Sequence, residues 1–543
     1  MVVLVAMLLG TMINAGAGDN RASPALENDL ANGIVAITAR SAGERERLRA
    51  LYAARDFAPL WFTKNGNTGM VRIALGELAA ASAHGLSPTD YDVSALHASV
   101  AAIDAGDRST ALVARTELEL SAAVLRYLGD LHEGRVASAA GGFRYAPHPN
   151  AFDVASMLPS AVAAGDLATA VARAEPSFPI YRRLRALLLR YRSLAQSDEP
   201  EVFAVANKLA VGGLYPDAAR LRRRLHFLGD LVSDLSPSEE RRYDSLLADA
   251  VRRFQARHGL APDGALGKDT VVELQKPLAS RVLQIELAME RLRWLPDITA
   301  KSVIAINIPS YRLWAFTDAN RDEAPSVAMR IVVGRDAATR RTPVFIGAMR
   351  YLELNPYWNV PQSIALQEIL PRIGRDPGYL QREDMELLGG SVVSGSTVDI
   401  TTLNGLRDGT LRVRQRPGPK NPLGRIKFVL PNTMDIYLHG TSEPELFART
   451  RRDFSHGCIR VDDPLALAAF VLRDQPTWTR ERLEAVIAQG ANSHIVLSEP
   501  AAVVIFYTTA ISTSEGDAMF LPDVYGYDRK LIGALRAAGR YVE

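Results

Sequence analysis

The chain has a single cysteine in 543 residues, Cys458, within Ser455-His456-Gly457-Cys458-Ile459-Arg460. A thiol is the most nucleophilic side chain near neutral pH, but only as thiolate, so it needs a base or a positive neighbour. Two histidines are candidates: His456, and His439, which lies 19 positions upstream in Ile436-Tyr437-Leu438-His439-Gly440. This pairing suits acyl transfer, in which the thiolate attacks a carbonyl, an amine leaves and a thioester remains. The tetrahedral oxyanion needs fixed donors. Candidates are the backbone N–H groups of Gly457 and Cys458 and the Tyr437 hydroxyl. His456 either braces the loop or tunes the thiolate. Arg460 either grips a substrate carboxylate or closes a structural salt bridge. A zinc site built from His439, His456 and Cys458 is the competing chemistry, but the spacing matches no common zinc pattern and names no fourth ligand.

These residues need elements to hold them. Met434, Ile436 and Leu438 alternate with Asp435, Tyr437 and His439, which is strand periodicity and puts Tyr437 and His439 on one face. Cys458-Ile459-Arg460-Val461 alternates as well, so Cys458 and Arg460 share a face. Asp463-Pro464 then opens a helix over Leu465–Leu472, with Asp463 as N-cap. The expectation is two short strands, joined by a polar loop, that set a thiol beside an imidazole.

The length predicts about three domains at ~100–200 residues each. Apolar content of 48%, with 23% charged residues, is globular composition, and a net charge of +2 argues against a dedicated nucleic-acid binder. Val2–Ile13 is apolar and Ala15-Gly16-Ala17 follows, which reads as a secretory signal peptide over 1–17. The run falls short of the roughly 20 residues of a membrane span; an uncleaved anchor is the alternative. Helical periodicity dominates 44–200 and returns at 281–295. Between them, helices at 219–228, 245–258 and 267–274 are punctuated by Gly229, Gly259 and Pro262-Asp263-Gly264. From Ser302 the period becomes strand-like, at Val303–Ile308, Tyr311–Phe316, Val327–Val333 and Ala348–Leu354, with later strands at Ile495–Leu497 and Val503–Tyr507. Ser363–Leu411 interrupts this pattern with a helix, Pro/Gly breaks and a polar stretch. Trp358 is either a core aromatic or a wall of a cleft.

His439-Gly440 followed by Ser455-His456-Gly457-Cys458-Ile459-Arg460 resembles the signature of the L,D-transpeptidase (YkuD-type) family, as do Arg341-Thr342-Pro343-Val344-Phe345 and Asn355–Pro361 upstream. Pro59-Leu60-Trp61, His84–Tyr91 and Asp130–Val136 resemble the helical scaffold of the large Gram-negative members. Ala250–Gln255 with Gly259-Leu260, Asp263-Gly264 and Thr270 resembles a three-helix peptidoglycan-binding module. The resemblance implies that Cys458 is the nucleophile, that His439 is the base and that the Gly440 carbonyl orients the imidazole. Ser455, Trp358 and Arg460 would contact substrate. Peptidoglycan stem peptides and glycan strands would be the partners, no cofactor or metal would be needed, and carbapenem-type β-lactams would acylate Cys458. The protein would be periplasmic. The implied architecture is multidomain α+β. A helical scaffold at 28–200 is continued by 278–300, with the binding module inserted at 201–277. A β-sandwich-like catalytic domain covers 301–510, with a substrate-capping lid near 362–411, and a C-terminal extension covers 511–543. The acceptor stays open among a second stem, a protein amine, a free D-amino acid and water, and a wall-binding protein without turnover is the non-enzymatic alternative.

Overall fold

The computed structural model describes residues 28–29, 31–32, 42–63, 66–67, 69–145, 152–198, 201–206, 209–232, 241–318, 324–376, 378–389, 391–393 and 400–540. The expected signal peptide lies outside them. No helix among the described residues is long and apolar enough to cross a membrane. The chain divides into two compact units, 1–136 with 148–176 and 535–543, and 137–147 with 177–534.

The first unit is helical, with helices Ala42–Ala53, Gly69–Ala79, Val93–Asp104, Thr110–Glu133, Val154–Ala164 and Leu167–Ala174. Its apolar stripes meet in one core. A charged group sits inside that core. The fully buried Glu117 carboxylate accepts from the N–H groups of Leu60, Trp61 (3.0 Å) and Phe62 (3.1 Å) and from the Tyr52 hydroxyl (2.7 Å). Ser121 completes the cluster by accepting from Trp61 Nε1 at 2.8 Å. Burial pushes the Glu117 carboxyl up to about 7, while these donors pull it back. The Pro59-Leu60-Trp61 turn is thus held by the helix Thr110–Glu133, more than fifty residues further along the sequence.

In the second unit the helical module has the expected order, Ala218–Leu228, Ser245–Arg257 and Lys268–Leu274. Gln255 explains its motif. The buried amide donates to Asp263 Oδ1 (2.9 Å), the Ala265 carbonyl (2.9 Å) and Thr270 Oγ1 (3.0 Å), and accepts from Gly264 N–H (2.8 Å). The flanking helices Pro179–Ala195 and Leu278–Arg293 share a core with Val303, Val504, Phe506, Ala510 and Phe520 of the same unit. Tyr181, Leu184 and Leu188 on one, and Val282, Ile285 and Met289 on the other, all belong to that core.

The catalytic sheet contains β1 (Val303–Asn307), β2 (Arg312–Phe316), β3 (Val327–Gly334) and β4 (Phe345–Leu354). The segment that interrupts this sheet contributes β5 (Trp358–Asn359), β6 (Met385–Gly389), β7 (Ser391–Val393) and β8 (Arg412–Gln415). The catalytic sheet resumes with β9 (Ile426–Val429), β10 (Leu438–His439), β11 (Asp453–Ser455), β12 (Ile459–Val461) and β13 (Ser493–Phe506). β13 unites the two strands expected at 495–497 and 503–507. Its register shifts between Val496 and Ala501, which leaves room for Pro500. The strands run β11-β3-β12-β10-β9-β4-β13-β1-β2, and β2 also pairs with β3. The sandwich-like expectation therefore takes the form of one sheet closed on itself. β14 (Ala510–Ser512) and β15 (Ala518–Phe520) form a hairpin beyond it.

The interruption is a folded subdomain. Its strands order as β5-β8-β6-β7, and Val360, Ile369, Ile373, Leu387, Leu406 and Val413 form a core of its own. It begins and ends a few residues outside 362–411, because β5 pairs with β8. The helical part runs over 362–375 and includes a π-helical segment, Ala365–Ile369.

Candidate active site

Parallel pairing of β10 and β12 brings the two motifs together, with Leu438 opposite Ile459 and His439 opposite Arg460. Leu438 and Ile459 are fully buried beneath the sheet. Tyr437, His439, Cys458 and Arg460 line a single cavity of about 1020 Å³. Met434 and Ile436, expected on the opposite face, line it too. The strand begins only at Leu438, because Asp435 sits at φ 54° and breaks the alternation. Asn432 builds that turn, accepting from the N–H groups of Met434 and Ile436. Asp463 caps the following helix through Ala466 N–H at 2.9 Å.

Cys458 donates to the exposed Asp435 carbonyl at 3.5 Å, and burial pushes its thiol above the ordinary range. His439 is 5% exposed. Desolvation, with the cations of Arg460 and Lys427, holds its imidazole down at about 3, so it is neutral at pH 7. The Gly440 and Pro422 backbones lie near the ring and favour its charged form, but Nδ1 closes no hydrogen bond of good geometry with either. Gly440 itself donates to the Ile426 carbonyl at 3.0 Å. The Tyr437 ring lies 5.6 Å from that of His439 and carries Lys427 over its face at 4.6 Å. Burial and the adjacent Cys458 push the phenol well up, so it remains a donor.

The loop before the thiol is cross-braced. Ser455 Oγ accepts from Gly457 N–H (3.1 Å) and donates to the Cys458 carbonyl (2.6 Å). Ser455 also lines the cavity, and its hydroxyl occupies the Gly457 N–H that was one expected oxyanion donor. Cys458 N–H finds no acceptor among the described residues and is the open donor. Gly457 has φ 124°, a conformation that a side chain would strain.

His456 Nε2 meets Glu368 Oε1 of the lid at 2.7 Å, and Arg340 flanks the same carboxylate at 3.8 Å. Arg460 pairs with Glu443 Oε2 at 2.5 Å while lining the cavity. Trp358 does both things expected of it, packing against the lid core and walling the cavity. Among the described residues, no group of three or more His, Cys, Asp or Glu side chains is placed to hold a metal ion.

Glu368, Thr342 and Tyr525 were not foreseen as site residues. Thr342 stood in a stretch already singled out, but nothing in the sequence pointed to Glu368 or Tyr525. Thr342 Oγ1 donates to the Gly457 carbonyl at 2.7 Å, and Tyr525 bonds to the backbone on either side of the loop that carries Thr342.

Three family models match the chain: a scaffold domain at 46–188, a "Putative peptidoglycan binding domain" at 215–274 and an L,D-transpeptidase catalytic domain at 301–486. A Haemophilus influenzae protein named "Putative L,D-transpeptidase" is 34% identical over 250 residues, 45% of this chain and 48% of that protein. The chain thus spans about half the length of this relative. The segment that carries Cys458 and His439 is thus the part of the chain that matches the L,D-transpeptidase catalytic domain.

Proposed function

We propose that this protein is a peptidoglycan L,D-transpeptidase that forms 3→3 cross-links. Cys458 Sγ attacks the carbonyl between the third residue and the terminal D-alanine of a tetrapeptide stem. His439 takes the thiol proton as the S–C bond forms, then returns it to the departing D-alanine amine. The tetrahedral oxygen is met by Cys458 N–H and the Tyr437 hydroxyl. A side-chain amine of a diamino acid on a second stem then attacks the thioester, its proton passes to His439, and the thiol is regenerated. The peptidoglycan-binding module holds glycan strands, the lid covers the bound stem, and the enzyme works in the periplasm after export.

The observation that carries this reading is a lone thiol, one residue before β12, and a neutral imidazole on the parallel neighbour β10, lining one cavity. The neutral imidazole can accept a proton at once, and the cavity has room for a peptide. The test is intact-protein mass after incubation with disaccharide-tetrapeptide, for wild type and Cys458→Ala, followed by product analysis. The expected result is a thioester adduct, released D-alanine and a 3→3 dimer, all absent in the variant. An adduct that only hydrolyses would make the enzyme a carboxypeptidase. Retained binding to sacculi with no adduct would make the protein a wall binder.

A further inference from the structure

We infer that Thr342, held by Tyr525 of the C-terminal segment, is a positioning residue that aims the oxyanion-binding N–H of Cys458. Thr342 is fully buried, and its Oγ1 donates to the Gly457 carbonyl at 2.7 Å. The Gly457–Cys458 peptide is trans, so its carbonyl and its N–H point in opposite directions. Fixing the oxygen on the buried side therefore turns Cys458 N–H the other way, to the side of the cavity. Glycine at 457 lets the peptide take this orientation. Without the Thr342 bond, that same freedom would let the plane rotate.

Thr342 is itself fixed from two directions. Its Oγ1 accepts from Gly334 N–H at 2.8 Å. Its own N–H donates to the Tyr525 hydroxyl at 3.2 Å, and that hydroxyl donates to the Gly334 carbonyl at 2.5 Å. The approach is close enough that a Cβ on Gly334 would lie 1.9 Å from the Arg340 carbonyl. Tyr525 is 2% exposed and held in turn, its N–H donating to the Tyr507 hydroxyl at 3.0 Å, which donates to Asp523 at 2.6 Å. Arg341 covers the rings of Tyr525 and Tyr527 at 5.4 and 5.5 Å. Tyr525 lies 39 residues beyond the end of the matched catalytic segment at 486 (525 − 486), so the chain supports its reaction site from outside that segment.

The inference rests on the proposed acyl transfer, and two reactions of the same thiol separate the two ideas. Acylation by disaccharide-tetrapeptide passes through an oxyanion, whereas alkylation by iodoacetamide needs only the thiolate and access to it. Thr342→Val keeps the shape and removes the hydroxyl. It is expected to lower kcat for acylation by about 10- to 100-fold, the scale set by misplacing one oxyanion donor. KM and the alkylation rate are expected to stay within about twofold, since neither depends on that donor. Thr342→Ser restores the hydroxyl and should recover most of the rate. Tyr525→Phe, a milder change, should give a smaller loss of the same kind and serves if Thr342→Val does not fold. Wild-type acylation kinetics in Thr342→Val, or acylation and alkylation falling together, would overturn the inference alone. A wild type that alkylates but never acylates would overturn both ideas.

Discussion

At the scale of residues, the site rests as an uncharged pair. Burial moves the Cys458 thiol up and the His439 imidazole down, and both shifts oppose a standing thiolate–imidazolium couple. In the proposed acyl transfer, the proton therefore moves only as the acyl donor arrives. The sign of the pH dependence follows, because the thiolate fraction grows only as pH approaches the raised thiol value from below. Alkylation of Cys458 by iodoacetamide should keep climbing past neutrality, with no plateau between about pH 5 and 8 of the kind a low-pKa thiolate would give. A flat rate across that range would rule out the neutral pair. Cys458 and His439 were legible because reactive types stood in strand periodicity beside turn glycines. Glu368, Thr342 and Tyr525 were not, since they meet the site across 88, 115 and 191 residues of sequence and no local pattern records such meetings.

At the scale of elements, the subdomain proposed as a lid is fastened to the loop before Cys458 by a side-chain pair between His456 and Glu368. Both side chains are 32% exposed, so the pair is worth on the order of 1 kcal/mol, enough to hold a lid without locking it. Glu368→Ala should raise the rate of limited proteolysis within 362–411 several-fold and raise KM for the stem peptide. Unchanged cleavage would mean that the lid's own core, around Ile369 and Leu406, holds it without the pair. The change from helical to strand period placed the β domain, because alternation is kept in β2 while β1 and the end of β3 are continuous β-rich apolar runs. Sheet closure through β2 and β3 was beyond reach, since pairing partners are set by tertiary register. The helices at 179–195 and 278–293 show the same limit. Their amphipathic stripes announced a buried face but not which unit would bury it.

At the scale of the whole molecule, two units divide the labour, and each rests on a polar cluster inside an apolar core. In the first unit that cluster is Glu117, which collects three backbone N–H groups and a tyrosine hydroxyl. Glu117→Ala would leave those buried donors unmet, a loss of about 3–5 kcal/mol. The expected outcome is a first unit that melts well below its wild-type midpoint, while Cys458 in the second unit still reacts with iodoacetamide. Glu117→Gln, which can still accept, should fall between. The first unit also recruits residues 535–543, and Arg540 there pairs with the buried Asp130 at 2.9 Å across 410 positions. The order of synthesis gives this pair a meaning of its own. The helices of the first unit stay without one of their charge partners until Arg540 has left the ribosome. A nascent chain therefore completes this unit only after the second one has been made, and a cut that removes Arg540 unsettles the helix that carries Asp130.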